Sequence, residues 1–153
     1  GDMFEAQKDG RYGDPFTKRS IRRGSQTIED DVSIINEVGG NARLLKVGEQ
    51  KYVEVKGLDI PSPPWRDKKT DILIAIPNNY PSGGLDAFYI GLPMQHDSGS
   101  IPYQQGETFI DGRSWMLISW HYHPSHPWNP LQDDLESHIQ QCRGFFLTRG
   151  VRQ

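Results

Sequence analysis

The chain holds a single cysteine, Cys142. That excludes an intramolecular disulfide and any cysteine-cluster zinc site. It fits a reducing compartment, so a cytoplasmic location is expected. No apolar run approaches the roughly 18 residues of a membrane-spanning helix, and no signal peptide is visible. Charge of one sign is not in excess: 17 Lys and Arg stand against 20 Asp and Glu, a formal net charge of −3, with a pI near 5.9. Nothing therefore marks the chain as a binder of nucleic acid or of anionic membranes. It has no glycine-rich phosphate loop, no nucleophile elbow and no metalloprotease helix motif. It also lacks internal repeats and low-complexity tracts, and no cofactor is expected.

The 153 residues suffice for one domain with a core but not comfortably for two. The 16 Gly and 11 Pro point to many turns and short elements. Residues 1–26 are polar and carry Lys18, Arg19, Arg22 and Arg23 without helical or strand periodicity. They read as a solvated, mobile extension, or as a docking segment for an acidic partner. Residues 27–153 read as the folded domain. The start Gly-Asp-Met leaves open a cloning scar at Gly1 and a leader or upstream domain that has been removed.

Thr27 is an N-cap residue ahead of Glu29 and Asp30, and Ile28, Val32, Ile35 and Val38 recur at helical spacing before Gly39-Gly40. Strands are expected over Ala42–Val47, Lys51–Val55, Asp71–Ile76 and Ala87–Leu92, with Pro61, Pro63 and Pro64 breaking the pattern. Residues 94–106 are loop-like. Thr108–Trp115 reads as a hairpin about Asp111-Gly112, a pair suited to positive φ. A final helix is expected over Pro130–Phe146, with Asn129 as cap, Gln132 at N3 and a stripe of Leu131, Leu135, Ile139, Cys142 and Phe146. This order is α+β rather than alternating βαβ.

Trp115–Asp134 packs three of the five histidines and three of the four tryptophans into twenty residues. Read as a strand, Trp115–His123 sends Met116, Ile118, Trp120 and Tyr122 to one face and Trp115, Leu117, Ser119, His121 and His123 to the other. The first set is core-like; the second turns polar at its end. Ser119 and His121 share that face, and an imidazole beside a hydroxyl can take its proton and make it a nucleophile. Asp133 or Asp134 is a conceivable third, orienting group, and His123 lies in support. The bland reading is a polar strand end facing water. His121, His123 and His126 also form a possible three-nitrogen metal set, or simply a rigid polar turn. Cys142 lies on the apolar stripe of the last helix, where a thiol is an inert core group.

Three further segments carry a resemblance: Val55-Lys56-Gly57-Leu58-Asp59-Ile60-Pro61, Thr70 through Asn79-Tyr80-Pro81, and Leu85-Asp86-Ala87-Phe88-Tyr89. Together with Trp115, Ser119, His121, Trp128, Leu131 and Asp134-Leu135, they resemble the ubiquitin-conjugating (E2/UBC) fold. More specifically they look like the bacterial group called prokaryotic E2 family E, over roughly residues 27–147. The resemblance implies an N-terminal helix, a four-stranded antiparallel meander and a C-terminal helix. It implies a ubiquitin-like protein and an E1-like activating protein as partners, and a JAB-type peptidase beside them.

The chain departs from the usual E2 pattern in one respect that matters chemically. Those enzymes have a His-Pro-Asn turn, then a thioester-forming cysteine ahead of Trp-x-Pro and a helix. Here Trp128-Asn129-Pro130 is kept, yet no cysteine lies between residues 86 and 128, and His96 is followed by Asp97-Ser98. Two readings follow: a transferase that carries its cargo on Ser119 with His121 as base, and a non-catalytic UBC-like binding module. A weaker third is a hydrolase with a metal on His121, His123 and His126.

Overall fold

A computed structural model describes residues 26–148. The polar extension expected over residues 1–26 lies outside them, Gln26 excepted. Eight elements follow one another: α1 (Ile28–Glu37), β1 (Ala42–Val47), β2 (Gln50–Asp59), β3 (Lys69–Ile76), β4 (Phe88–Gly91), β5 (Gln104–Ile110), β6 (Arg113–Ile118) and α2 (Leu135–Phe146). Among the described residues no helix is long and apolar enough to cross a membrane.

The α+β class holds, but the sheet has six strands, not four, in the order β1-β2-β3-β4-β6-β5. Strands β1 to β4 form the expected antiparallel meander. The β5–β6 hairpin then joins the β4 edge through β6. Of β5, only Ile110 is buried. It is held by its backbone ladder to β6 rather than by a hydrophobic face, so no apolar pattern marks it. Asp111 and Gly112 both have positive φ, 51° and 81°, as the hairpin requires.

Both helices cover one face of the sheet. Ile28 and Ile35 of α1, and Leu135, Ile139, Cys142, Phe145 and Phe146 of α2, share a core with Val53, Ile72, Ile74, Ile76, Phe88 and Ile118. Strand alternation sends Leu73 and Trp115 to the other face, where they meet Ile110 in a smaller cluster. Helix α1 is fastened at both ends. Thr27 and Asp30 form a capping box, and Gly40 N–H donates to the Ile35 carbonyl at 3.0 Å. Val38, placed on the apolar stripe by its spacing, is instead the C-cap and is exposed.

Helix α2 starts at Leu135, not Pro130. Two start signals compete, and the second wins. Asp134 and Ser137 form the capping box of α2, whereas Asn129 closes a separate turn, accepting from Gln132 N–H and Asp133 N–H at 3.0 and 2.7 Å. Leu131 is consequently exposed instead of lying on the stripe. Asp31 of α1, itself buried, accepts hydrogen bonds from the Tyr80 hydroxyl and, at 3.4 Å, from Leu135 N–H. One carboxylate thus ties α1, the Tyr80 turn and the start of α2 together.

Phe88, with no solvent exposure, packs between Phe145 and Phe146 at ring-centroid distances of 5.6 and 5.9 Å. Phe88→Ala is expected to cost about 3–5 kcal/mol in chemical denaturation. Phe109→Ala, at a side chain 70% exposed, is expected to stay within about 0.5 kcal/mol of the parent.

Candidate functional site

The strand expected over Trp115–His123 stops at Ile118, because both of its neighbours end there. Phe88 begins β4 opposite Ile118, and Gln104 begins β5 opposite the same residue. Beyond that point the chain needs other backbone partners. Ser119 N–H donates to the Tyr103 carbonyl at 2.9 Å, and Trp120 N–H turns back to the Ile118 carbonyl at 3.0 Å. Tyr103 presents its carbonyl from a left-handed conformation, φ 57°, a backbone state that costs a non-glycine residue about 1 kcal/mol or more.

Helix α2 then takes hold of the segment. The Trp120 indole N–H donates to the Gln141 carbonyl at 2.9 Å, and the Gln141 side-chain amide donates to the His121 carbonyl at 3.1 Å. The Trp120 ring lies between Tyr103 and Phe145, 5.8 and 5.6 Å away by centroid. With its neighbour on the core, His121 is turned outward.

The Ser119 Oγ and His121 Nε2 are 3.0 Å apart. The His121 Nδ1 and an Asp86 carboxylate oxygen are 2.9 Å apart. A carboxylate only accepts, so Nδ1 carries the proton and donates to Asp86. In neutral His121 the Nε2 lone pair is then free to accept from the Ser119 hydroxyl. Asp86 stands just before β4, next to Leu85, which is buried. The result is a hydroxyl–imidazole–carboxylate line built from two neighbouring positions and a third 35 residues earlier.

A family model described as Prokaryotic E2 family E matches residues 28–146. The chain belongs to prokaryotic E2 family E. No curated protein and no solved structure matches it. Membership gives an E2-like role in ubiquitin-like conjugation, and with it, in general terms, dealings with a ubiquitin-like protein and an E1-like partner.

In this family E protein the expected residues fall as follows. Ser119 and His121 meet, as their spacing suggests. The carboxylate that meets His121 is Asp86 and not Asp133 or Asp134. Asp133 accepts from Asn129 N–H at 2.8 Å, and Asp134 caps α2. Sequence spacing could not have pointed to Asp86, which reaches the site only through the pairing of β4 with β6. His123 and His126 turn their Nδ1 atoms to Ser125 Oγ, at 2.7 and 3.2 Å. Among the described residues no group of three or more His, Cys, Asp or Glu is arranged to hold a metal. Cys142 is fully buried, and burial pushes its thiol well above the ordinary range, so it is no reactive thiolate. His96 is also buried, stacked edge-on against Trp65 at 4.7 Å and accepting from Ser98 N–H.

The site lies in the open. His121 and Asp86 keep 54% and 63% of their side-chain surface exposed. A cleft of about 310 Å³ lies elsewhere, between the start of α1 and Pro77–Pro81.

Beneath the site sits a residue the sequence did not single out, His138 of α2. It is buried, and the Tyr122 hydroxyl lies 2.7 Å from its Nδ1. Burial holds the Tyr122 phenol well above its usual range, so it stays protonated and donates. The His138 Nε2 is buried without a hydrogen-bond partner among the described residues. Burial lowers His138 from its ordinary 6.5 to about 4, against the opposing pull of Asp86. Between those values the unfolded chain binds more protons than the folded one, so this contribution is full above pH 6.5 and is lost as pH falls towards 4. The loss is on the order of 3 kcal/mol. His138→Gln is therefore expected to show a shallower fall in stability over this window than the parent, in denaturation curves taken at stepped pH. Parallel curves would contradict the assignment.

Proposed function

We propose that this family E protein carries the C-terminus of a ubiquitin-like protein as an oxyester on Ser119. The E1-like partner presents that C-terminus as a thioester. His121 Nε2 takes the Ser119 proton as Oγ attacks the thioester carbonyl, and the proton then passes to the departing thiol. Asp86 holds the imidazole in the required tautomer and steadies the imidazolium that forms. The observation that carries this reading is the pair of distances, 3.0 Å from hydroxyl to imidazole and 2.9 Å from imidazole to carboxylate. A serine hydroxyl is far less acidic than a thiol, so a site without the usual sulfur needs such a base. His123 lends support indirectly: its carbonyl accepts from His126 N–H at 2.9 Å, closing the turn after His121. A JAB-type peptidase that removes the cargo is the further partner this reading invites.

The openness of the site favours a second reading, a non-catalytic UBC-like module that only binds the ubiquitin-like or E1-like partner. The two separate cleanly. A carrier forms an ATP- and activator-dependent adduct that survives thiol reductant and is cleaved by base. Ser119→Ala is expected to abolish it, and His121→Ala to slow its formation about 100-fold or more. Partner pull-down undiminished by the double alanine variant, with no adduct from the parent, would establish the binding module instead.

A further inference from the structure

The Ser119 line has a base and an orienting carboxylate, and nothing in the described residues walls it off from water. Both features bear on what becomes of an ester once it has formed. Acylation removes the hydroxyl proton that Nε2 had accepted. The His121 Nε2, 3.0 Å from Oγ, is then left beside the ester with its lone pair free. Nδ1 remains engaged with Asp86 at 2.9 Å, so the imidazole keeps the orientation that served the first step. More than half of the His121 side chain is exposed, so a water molecule reaches that lone pair from solvent.

We propose that this site is an esterase as well as a carrier, discharging acyl groups from Ser119 to water whenever no other acceptor is present. The inference rests on the Ser119 reading above and extends it to a second activity. In the first half-reaction the Ser119 proton goes to His121, the Oγ–acyl bond forms, and the leaving alcohol or thiol takes that proton. In the second, His121 takes a proton from water, the hydroxide oxygen bonds the acyl carbon, and the carbon–Oγ bond breaks. Oγ recovers its proton from His121, and a carboxylic acid departs. No oxidant, metal or co-reactant enters.

The chemical class of substrate follows from the surroundings. Neither the cleft beside α1 nor the small hollow on the open sheet face, lined by Arg43, Leu73 and Trp115, includes Ser119, His121 or Asp86. The flanking side chains at the site are open, His121 and Asp86 keeping 54% and 63% of their surface exposed. With Oγ beside its base at 3.0 Å and His121 open to solvent, the site takes small activated esters and thioesters without a protein partner, ranked by the quality of the leaving group. For the conjugation role, the partner that covers the site sets the lifetime of the carried ester.

The test uses the whole chain and two probes, p-nitrophenyl acetate and a fluorophosphonate. The expected result is a burst of about one equivalent of p-nitrophenol followed by slower turnover. Ser119→Ala removes both phases, His121→Ala lowers the rate about 100-fold or more, and Asp86→Asn lowers it by less. These side chains are exposed or half-buried, and matching melting curves confirm that the variants fold. The fluorophosphonate, from whose phosphorus Oγ displaces fluoride as the hydroxyl proton passes to His121, leaves a phosphonyl ester stable to water and modifies Ser119 alone. Labelling of Ser119 with nitrophenol release halting at one equivalent would overturn the water step and leave the carrier reading standing. An unlabelled Ser119 and no Ser119-dependent release would overturn both. Release that survives Ser119→Ala but not His121→Ala would make the imidazole the nucleophile and end the serine route.

Discussion

The site depends on one reciprocal grip. Helix α2 accepts the Trp120 indole proton at the Gln141 carbonyl and returns the Gln141 amide to the His121 carbonyl. Strand β6 has ended one residue before Ser119, and the sheet can no longer hold the chain. Without the grip, the chain after Ser119 would be held mainly by the Ser119 N–H to the Tyr103 carbonyl, and two side chains so loosely held seldom keep a 3 Å relationship. With it, Trp120 is fixed against the core between Tyr103 and Phe145. Its two flanking residues are thereby fixed on the solvent side. One turn earlier on α2, His138 meets Tyr122, so three consecutive residues are referred to one rigid helix.

That arrangement bears on the proposed use of a hydroxyl in a chain with no cysteine between residues 86 and 128. A cysteine supplies a nucleophile that is partly ionised near neutral pH. A serine supplies none and depends wholly on its neighbours. The segment between the sheet and Trp128-Asn129-Pro130, where related enzymes place their cysteine, here offers a hydroxyl with an imidazole and a carboxylate in line. The sole thiol of the chain, Cys142, is fully buried in the main core. Hydroxyl chemistry demands positional accuracy, because a misplaced base contributes little. The accuracy comes from the side-chain-to-carbonyl hydrogen bonds with α2 and the backbone hydrogen bond to Tyr103, not from enclosure.

Much of this was legible in the residues. Strand alternation assigned Met116, Ile118 and Trp120 to the main core and Trp115 to the opposite face, and the structure agrees. It also brought Ser119 and His121 to one side, since a two-residue offset holds whether or not the ladder continues. What escaped was non-local or lacked an apolar signature. Strand β5 is polar and exposed, so hydrophobic period could not reveal it. Asp86 enters through strand pairing, which spacing along the chain does not report. The start of α2 was misplaced because Asn129-Pro130 and Asp134 both carry valid start signals, and only packing, through the buried Leu135 and the exposed Leu131, chooses between them.

The account turns on where one proton sits. Asp86 and Ser119 engage opposite nitrogens of the same ring, which requires hydrogen on Nδ1 and a lone pair on Nε2. Long-range proton–nitrogen NMR of the imidazole-labelled protein, at a pH where His121 is neutral, reads this directly. A single Nδ1–H tautomer at His121 that shifts towards the mixed population of free histidine on Asp86→Ala is the predicted result. A ring protonated on Nε2, or one unaffected by loss of Asp86, would contradict it.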